Sequence, residues 1–395
     1  AVHELLQEAG AVKDEVVSLR RDVHRHPELG LDNPATQRRI MSALSDLPLA
    51  VRTGDGLTSV IADLAGQGSG RPSTVLLRAD TDALPMTEES GEDFCSVEEG
   101  RAHACGHDAH TAMLVGAARI LSGMRDRFAG RIRFMFQPGE EGAGGAAVMI
   151  KEGVLDGVDR AFALHITPNL PVGFAGCRAG PMLASTDELS VAVSGRGGHA
   201  AMPDKCIDPV VVGAQIISAL QSVVARNVAP LNSAVVSITM VNAGTVSNVV
   251  PDDMQLTGSL RYFSKQVGDE IKKKIKNIVE GVSHSMGASA TFESTPNYPA
   301  TINTPKHAEI CANAAAMVVG ADNVLRSEQP TMGSEDFAFL LNASEGAYIW
   351  IGNGLVPEDS PKGGCLLHNT QYDFNDEILP IGASYWIQLV KNILQ

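Results

Sequence analysis

Clustered basic residues are what this chain has least of: 31 Lys and Arg stand against 46 Asp and Glu, a formal net charge of −15. A phosphate-binding face needs Lys and Arg gathered on one side, so nucleic acid and anionic membrane surfaces are disfavoured as partners. The one basic run, Lys272 to Lys274, reads as the solvated face of a helix. Long apolar runs are missing too. Stretches such as Val75 to Leu77 and Val210 to Val212 fall far below the roughly 20 residues that span a bilayer, so no transmembrane segment is expected. The opening residues, Ala1 to Lys13, carry Glu4 and Glu8 and lack the basic-then-apolar order of a secretory signal, which makes the cytosol the expected compartment. Cysteine is sparse and unpatterned. The six, at positions 95, 105, 177, 206, 311 and 365, form no CxxC pair, so neither a zinc ribbon nor a disulfide framework is supported. There is no internal repeat and no low-complexity tract.

What is present is a chain of 395 residues, 44% apolar, too long for one typical core and long enough for two domains. Helical spacing runs from Leu5 to His24, and strand signals come next at Leu57 to Leu64 and Thr74 to Leu77. Elements then alternate: helix Thr111 to Leu121, strand Ile132 to Phe136, helix Ala146 to Glu152, strand Ala161 to Leu164. Such alternation predicts an α/β sheet with helices on its faces. From about Ser185 the order becomes strand Leu189 to Val193, helix Pro209 to Arg226, strands Ala234 to Val241 and Met254 to Phe263, helix Lys265 to His284, strand Ala288 to Glu293. That β-α-β-β-α-β order predicts an inserted ferredoxin-like α+β domain. The α/β pattern then resumes with a helix at Ala308 to Val318, a strand at Ala347 to Ile351 and a closing helix from Ile378 to Leu394. The expected domains are residues 1–184 and 296–395, forming one sheet-based domain, and residues 185–295, inserted into it.

The densest polar cluster is the octet His103-Ala104-Cys105-Gly106-His107-Asp108-Ala109-His110. Thiolate and imidazole are ligands of borderline-soft divalent metals, and Cys-x-His places both on one tight turn. Taken alone, the octet also fits a loop with an inert thiol. Strand ends strengthen the metal reading: Val75 to Leu77 leads to Asp80, Ile132 to Phe136 leads to Glu140 and Glu141, and Phe162 to Leu164 leads to His165. Ligands bind at the carboxyl edge of open α/β sheets, so three segments converge on one crevice. Neighbouring Glu140 and Glu141 point in different directions, so one can ligate while the other moves a proton. Gly142, Gly144 and Gly145 would let the backbone turn sharply beside them. His368 is a further candidate ligand with Cys365 as its competitor, while His24 and His26 read as structural cations at a helix end. In the inserted segment, the glycines of Gly195 to Ala201 would present His199, and Asn248 and Arg261 are the other polar residues of note.

Taken in order, Arg78-Ala-Asp80-Thr-Asp82-Ala-Leu-Pro85, the octet, Gln137-Pro-Gly-Glu-Glu141, Ala163-Leu-His165, Gly197-Gly-His-Ala-Ala201, Met332-Gly-Ser-Glu-Asp-Phe337 and Leu367-His-Asn369 resemble the metal-dependent amidohydrolase branch of the aminoacylase and carboxypeptidase family. That branch includes hippurate hydrolases, N-acetyl-diaminopimelate deacetylases and indoleacetyl-amino acid hydrolases. The resemblance implies a metallohydrolase catalytic domain with a two-metal centre, and an inserted domain used for dimerisation. It implies Cys105, His107, Glu141, His165 and His368 as metal ligands, Glu140 as general base, and Asp80 as support for the centre or for one of its histidines. It further implies His199, Asn248 and Arg261 as substrate-binding residues, with His199 supplied by a partner subunit in a homodimer or dimer-based oligomer. The exopeptidase branch has His-x-Asp where this chain has Arg78-Ala-Asp80, and a bridging aspartate where it has Cys105-Gly-His107. The chain therefore sides with the amidohydrolases, and the two metals are left open among zinc, manganese, cobalt and nickel.

The activity expected is hydrolysis of the amide of a small N-acyl amino acid, with a weak lean to hippurate-type aromatic acyl groups. A dipeptidase or carboxypeptidase acting on small peptides is the runner-up, because a peptide bond presents the same amide. A non-catalytic binding protein would be expected to lose the base or some ligands, and here every position is filled.

Overall fold

The computed structural model describes residues 7, 9–70, 72–354, 365–372 and 375–395. Residues 9–11 are helical, a turn comes at Val12, and helix α1 occupies Lys13–Arg25; Leu5, Leu6 and Glu8, where the expected first helix begins, lie outside the described residues. Helix α2 (Pro34–Leu44) was not evident in the sequence pattern; it opens on a proline, whose missing N–H is no loss in a first turn. The next elements are β1 (Ala50–Thr53), β2 (Val60–Ala65), β3 (Thr74–Asp80), α3 (His107–Ser122), β4 (Arg131–Gln137), α4 (Gly145–Lys151), β5 (Arg160–Thr167), β6 (Ala175–Gly176) and β7 (Gly180–Leu183). Then come β8 (Ser185–Ser194), β9 (Gly198–His199), α5 (Pro209–Asn227), β10 (Ala234–Ala243), β11 (Val249–Val250), β12 (Asp253–Tyr262), α6 (Lys265–Ser285) and β13 (Ser289–Tyr298). The chain closes with β14 (Thr301–Asn303), α7 (Pro305–Val319), β15 (Val324–Leu325), α8 (Ala338–Ala343), β16 (Glu345–Gly352) and α9 (Leu379–Leu394).

Two compact units result: Ala1–Met182 with Ile302–Gln329 and Asp336–Gln395, and Leu183–Thr301 with Pro330–Glu335. The first holds an eight-stranded sheet in the order β1-β2-β4-β3-β5-β16-β6-β15. Its middle strands β4, β3, β5 and β16 are parallel, so their carboxyl ends share one edge. Val75, Leu76 and Leu77 of β3 are all fully buried, as expected of a strand covered by helices on both faces. Helix α3 is Ala-rich and almost wholly buried, with its first turn at that shared edge.

The second unit is an antiparallel sheet in the order β10-β12-β8-β13, the ferredoxin-like arrangement. Val212, Ile216, Leu220 and Val223 of α5 and Ile271, Ile275 and Val279 of α6 join Leu189, Val191, Leu256 and Leu260 in one core. By length and composition α5 alone, among the described helices, could cross a membrane. Ser and Gln interrupt its apolar runs, and its apolar face is spent on this core.

Candidate metal centre

The shared edge of the parallel strands gathers the chemistry. β3 ends at Asp80 and runs into Asp82; β4 ends at Gln137 and runs into Glu140 and Glu141; β5 carries His165 near its end. Cys105 and His107 flank Gly106, which caps α3 at φ 88°. A side chain there would be strained, and its Cβ would stand 2.2 Å from Ile166 Cδ1. The turn of the Glu140–Glu141 loop is equally demanding: a Cβ on Gly145 would stand 1.8 Å from the Pro138 carbonyl oxygen. His368 is the one non-glycine residue with positive φ among those described, at 63°. Its N–H donates to the Ala104 carbonyl at 2.7 Å, which seats it over the Cys105 turn.

The five expected ligands come together. Cys105 Sγ lies 3.5 Å from His165 Nε2 and 3.3 Å from His368 Nε2. His368 Nε2 is 3.1 Å from Glu141 Oε1, and His107 Nε2 is 4.0 Å from the same oxygen. Cys105, His107 and Glu141 offer ligand atoms at the mutual spacing of a cation site, and so do Asp80, His107, His110 and His165. Cys365, the competing candidate, is in neither group. His107 Nε2 is buried and completes no hydrogen bond, and Glu141 Oε1, buried beside it, meets the His368 imidazole. Orphaned polar atoms are rare in native interiors, and such an imidazole nitrogen grouped with a thiol, a carboxylate and two more imidazoles fits a bound divalent metal. His107 Nδ1 is engaged by the Asp82 carbonyl at 2.8 Å, which turns Nε2 toward the centre.

Electrostatics agree with the geometry. Burial pushes the Cys105 thiol up, against His107 and His368. Burial also disfavours charge on His107, yet Asp80 and Cys105 hold it well above the ordinary imidazole range. Asp80, despite burial, is held well below the carboxylate range by His107, Arg78 and His110. Glu141 is likewise lowered, with burial opposed by His368 and His107. Bonds to Cys105 and Glu141 raise His368 to about 10. Burial, with His110 close by, keeps His165 well below the ordinary value and therefore neutral. The pocket attracts positive charge while leaving one imidazole as a ready donor.

Glu140, the expected base, is buried, its carboxylate 3.9 Å from His107 Nε2. Asp80 lies 3.4 Å from His107 Nε2 and 2.6 Å from His110 Nδ1. In the second unit, β9 pairs with β11, so His199 and Asn248 sit together, with Ala200 N–H donating to the Asn248 carbonyl at 3.0 Å. Arg261 is not with them. The His199 loop is held to the start of β12, where Gly197 N–H donates to Asp252 Oδ1 at 2.8 Å. Arg261 is near the other end of that strand, donating to the Met332 carbonyl at 2.8 Å; at about 3.3 Å per strand residue, Asp253 and Arg261 are separated by roughly 26 Å of strand.

Asp82 and Arg78 had no expected role. Asp82 accepts the N–H groups of Glu140 and Glu141 with its two oxygens, both at 3.0 Å. Arg78 donates to Asp80 and to Asp336, both fully buried. His24, expected as a structural cation at a helix end, is fully buried between Asp108, at 3.0 Å, and Glu88, at 3.1 Å. The helix dipole suggested a structural role for it, and the structure keeps that role but makes two carboxylates its cause. All of these residues lie in or next to motifs already noted. Apart from Arg78 with Asp80, their pairing is long-range, and no spacing signals it.

The sequence model of peptidase family M20/M25/M40 matches residues 76–392. The chain belongs to that family. As a member of the M20 family it is a hydrolase, and its relatives include amidohydrolases and peptidases. It is 37% identical over 381 residues to N-acetylcysteine deacetylase of Bacillus subtilis, covering 96% of this chain and 97% of the relative. It is 35% identical to thermostable carboxypeptidase 2 of Saccharolobus solfataricus, covering 97% and 96%. The crystal structure of Bacillus subtilis YXEP protein, a dinuclear metal binding peptidase from the M20 family, superposes with a TM-score of 0.84 at 34% identity, covering 98% of this chain and 99% of that one.

Proposed function

We propose that this M20 hydrolase holds two divalent cations through Cys105, His107, Glu141, His165 and His368 and hydrolyses the amide of small N-acyl amino acids. The observation that carries the reading is the convergence of those five side chains on the buried ligand atoms His107 Nε2 and Glu141 Oε1, with a sixth group, Glu140, adjacent. Bound cations would supply positive charge for the carbonyl oxygen as it becomes an oxyanion and would lower the pKa of the attacking water. Glu140 takes that water's proton. The oxygen adds to the carbonyl carbon, the C–N bond breaks, and Glu140 delivers the proton to the departing amine. Asp82 fixes the main chain on which Glu140 stands. Thiolate and imidazole favour zinc, and the carboxylate also suits manganese.

Arg261, His199 and Asn248 are assigned to the substrate carboxylate and the oxyanion, as donors of suitable geometry. Since one chain holds Arg261 and the His199–Asn248 pair at opposite ends of β12, the reading takes His199 of the partner subunit into each site. The outer strand β10, with Met240 and Val241 more than half exposed, supports pairing of the inserted domain with a second copy. The six free thiols support a reducing compartment such as the cytosol.

A substrate panel on the metal-reconstituted protein tests the substrate class. N-acetyl and N-benzoyl amino acids are expected to turn over faster than dipeptides. Faster dipeptide hydrolysis would favour the carboxypeptidase reading that the Saccharolobus relative motivates, and inactivity on all of them would favour a binding protein.

A further inference from the structure

His110 stands among the ligand-type side chains, its ring centroid 4.4 Å from that of His165. Its lone pairs, however, are already used. The main-chain N–H of Ile166 donates to His110 Nε2 at 3.0 Å, so that nitrogen carries no proton and its lone pair is engaged. Nδ1 lies 2.6 Å from Asp80 Oδ1. An ionised carboxylate only accepts, so Nδ1 carries the proton.

The two partners lead in opposite directions. Beyond Asp80, Arg78 Nη1 donates to Oδ2 at 2.9 Å, and Arg78 Nη2 donates to Asp336 Oδ1 at 2.8 Å. Asp336 Oδ2 in turn accepts from Gln137 Nε2 at 2.7 Å and from Ala146 N–H at 2.9 Å. The chain thus anchors Asp80 to the end of β4 and the start of α4. Beyond Ile166, its carbonyl accepts from His165 Nδ1 at 2.7 Å, leaving His165 Nε2 to face Cys105 Sγ at 3.5 Å. Ile166 is held through its N–H and directs His165 through its carbonyl.

We infer that His110 is a positioning residue and not a metal ligand: as the neutral Nδ1–H tautomer it ties Asp80 to the main chain at Ile166, and so sets which nitrogen His165 presents to the centre. The inference rests on the two-metal reading for its purpose, though not for its geometry. It also divides the four-residue group: His107 and His165 have a nitrogen to offer a cation, and His110 has none.

Two measurements test it. In metal-free wild-type protein uniformly labelled with 15N, a through-hydrogen-bond 15N–15N coupling between Ile166 N and His110 Nε2 is expected, together with a protonated Nδ1. A proton on His110 Nε2 would overturn the tautomer whether or not metal binds. Zinc titration against a competing chelator then compares wild type with His110→Asn, which keeps a donor for Asp80, and His110→Gln, which keeps an acceptor for Ile166. Both variants are expected to bind the wild-type number of zinc ions, with affinity weakened about 10–100-fold, the usual effect of losing a group that orients a ligand. Loss of one ion per chain would make His110 a ligand, and unchanged affinity in both variants would remove its positioning role. Wild-type protein that binds fewer than two ions would defeat the two-metal reading and leave the tautomer to stand or fall on the spectrum.

Discussion

Asp82 accepts the main-chain N–H of Glu140 at 3.0 Å, and its second oxygen accepts the N–H of Glu141 at the same distance. One carboxylate therefore positions both the assigned base and an assigned ligand, while its own carbonyl engages His107 Nδ1. Asparagine at position 82 keeps one acceptor and turns an amide N–H toward a donor. Asp82→Asn is expected to lower kcat by about 10–100-fold with little change in KM, as for other groups that orient a metal site. Steady-state kinetics alongside metal analysis checks this, and an unchanged kcat at full metal content would refute the clamp.

Much of the catalytic unit was legible because its parallel strands are covered on both faces. Val75 to Leu77 read as a strand from a continuous apolar run and Ile132 to Phe136 from a run broken only by Arg133, and the acids just past them, Asp80 and Glu140–Glu141, marked the edge. Ligand-type residues are chemically rare enough in combination that Cys105 and His107 stood out from the octet. Pairing across the chain stayed hidden. Arg20 and Asp108 meet 88 positions apart, and nothing local tells a buried arginine from a solvated one. Nor could composition show that His110, three residues from His107, has both nitrogens occupied. Helix α2 was missed because its buried stripe is narrow, Thr36, Ile40 and Leu44, and one of those three is polar.

His24 gives a dependence of stability on pH. Burial alone would lower its pKa, but hydrogen bonds with Asp108 and Glu88 raise it from 6.5 to about 9. The folded state thus holds a proton that the unfolded state releases between those values. The resulting stabilisation is fully present below pH 6.5 and is lost as pH rises through about 9. Urea unfolding from about pH 6 to about pH 10 should show a decline in wild type that is shallower in His24→Gln. Parallel curves for the two proteins would rule out this assignment.

The separation of Arg261 from His199 and Asn248 predicts complementation between two inactive proteins. Glu140→Gln lacks its own base but can lend His199; His199→Ala keeps its base and can borrow. On mixing and reassortment, half the dimers are mixed and each has one complete site, so activity should recover to about a quarter of wild type. Activity that stays at the level of the separate variants would place His199 in its own subunit's site or outside the reaction.

Above all, Glu140 is assigned to move the proton beside a two-metal centre that it does not build. Metal content and turnover of Glu140→Gln, read on the same sample with an N-acyl amino acid, probe that division of labour without an intermediate step. Two divalent ions per chain are expected, as in wild type, with kcat lower by at least about 100-fold, the lower range for losing a general base. Near-normal turnover at full metal content would take the proton transfer away from Glu140.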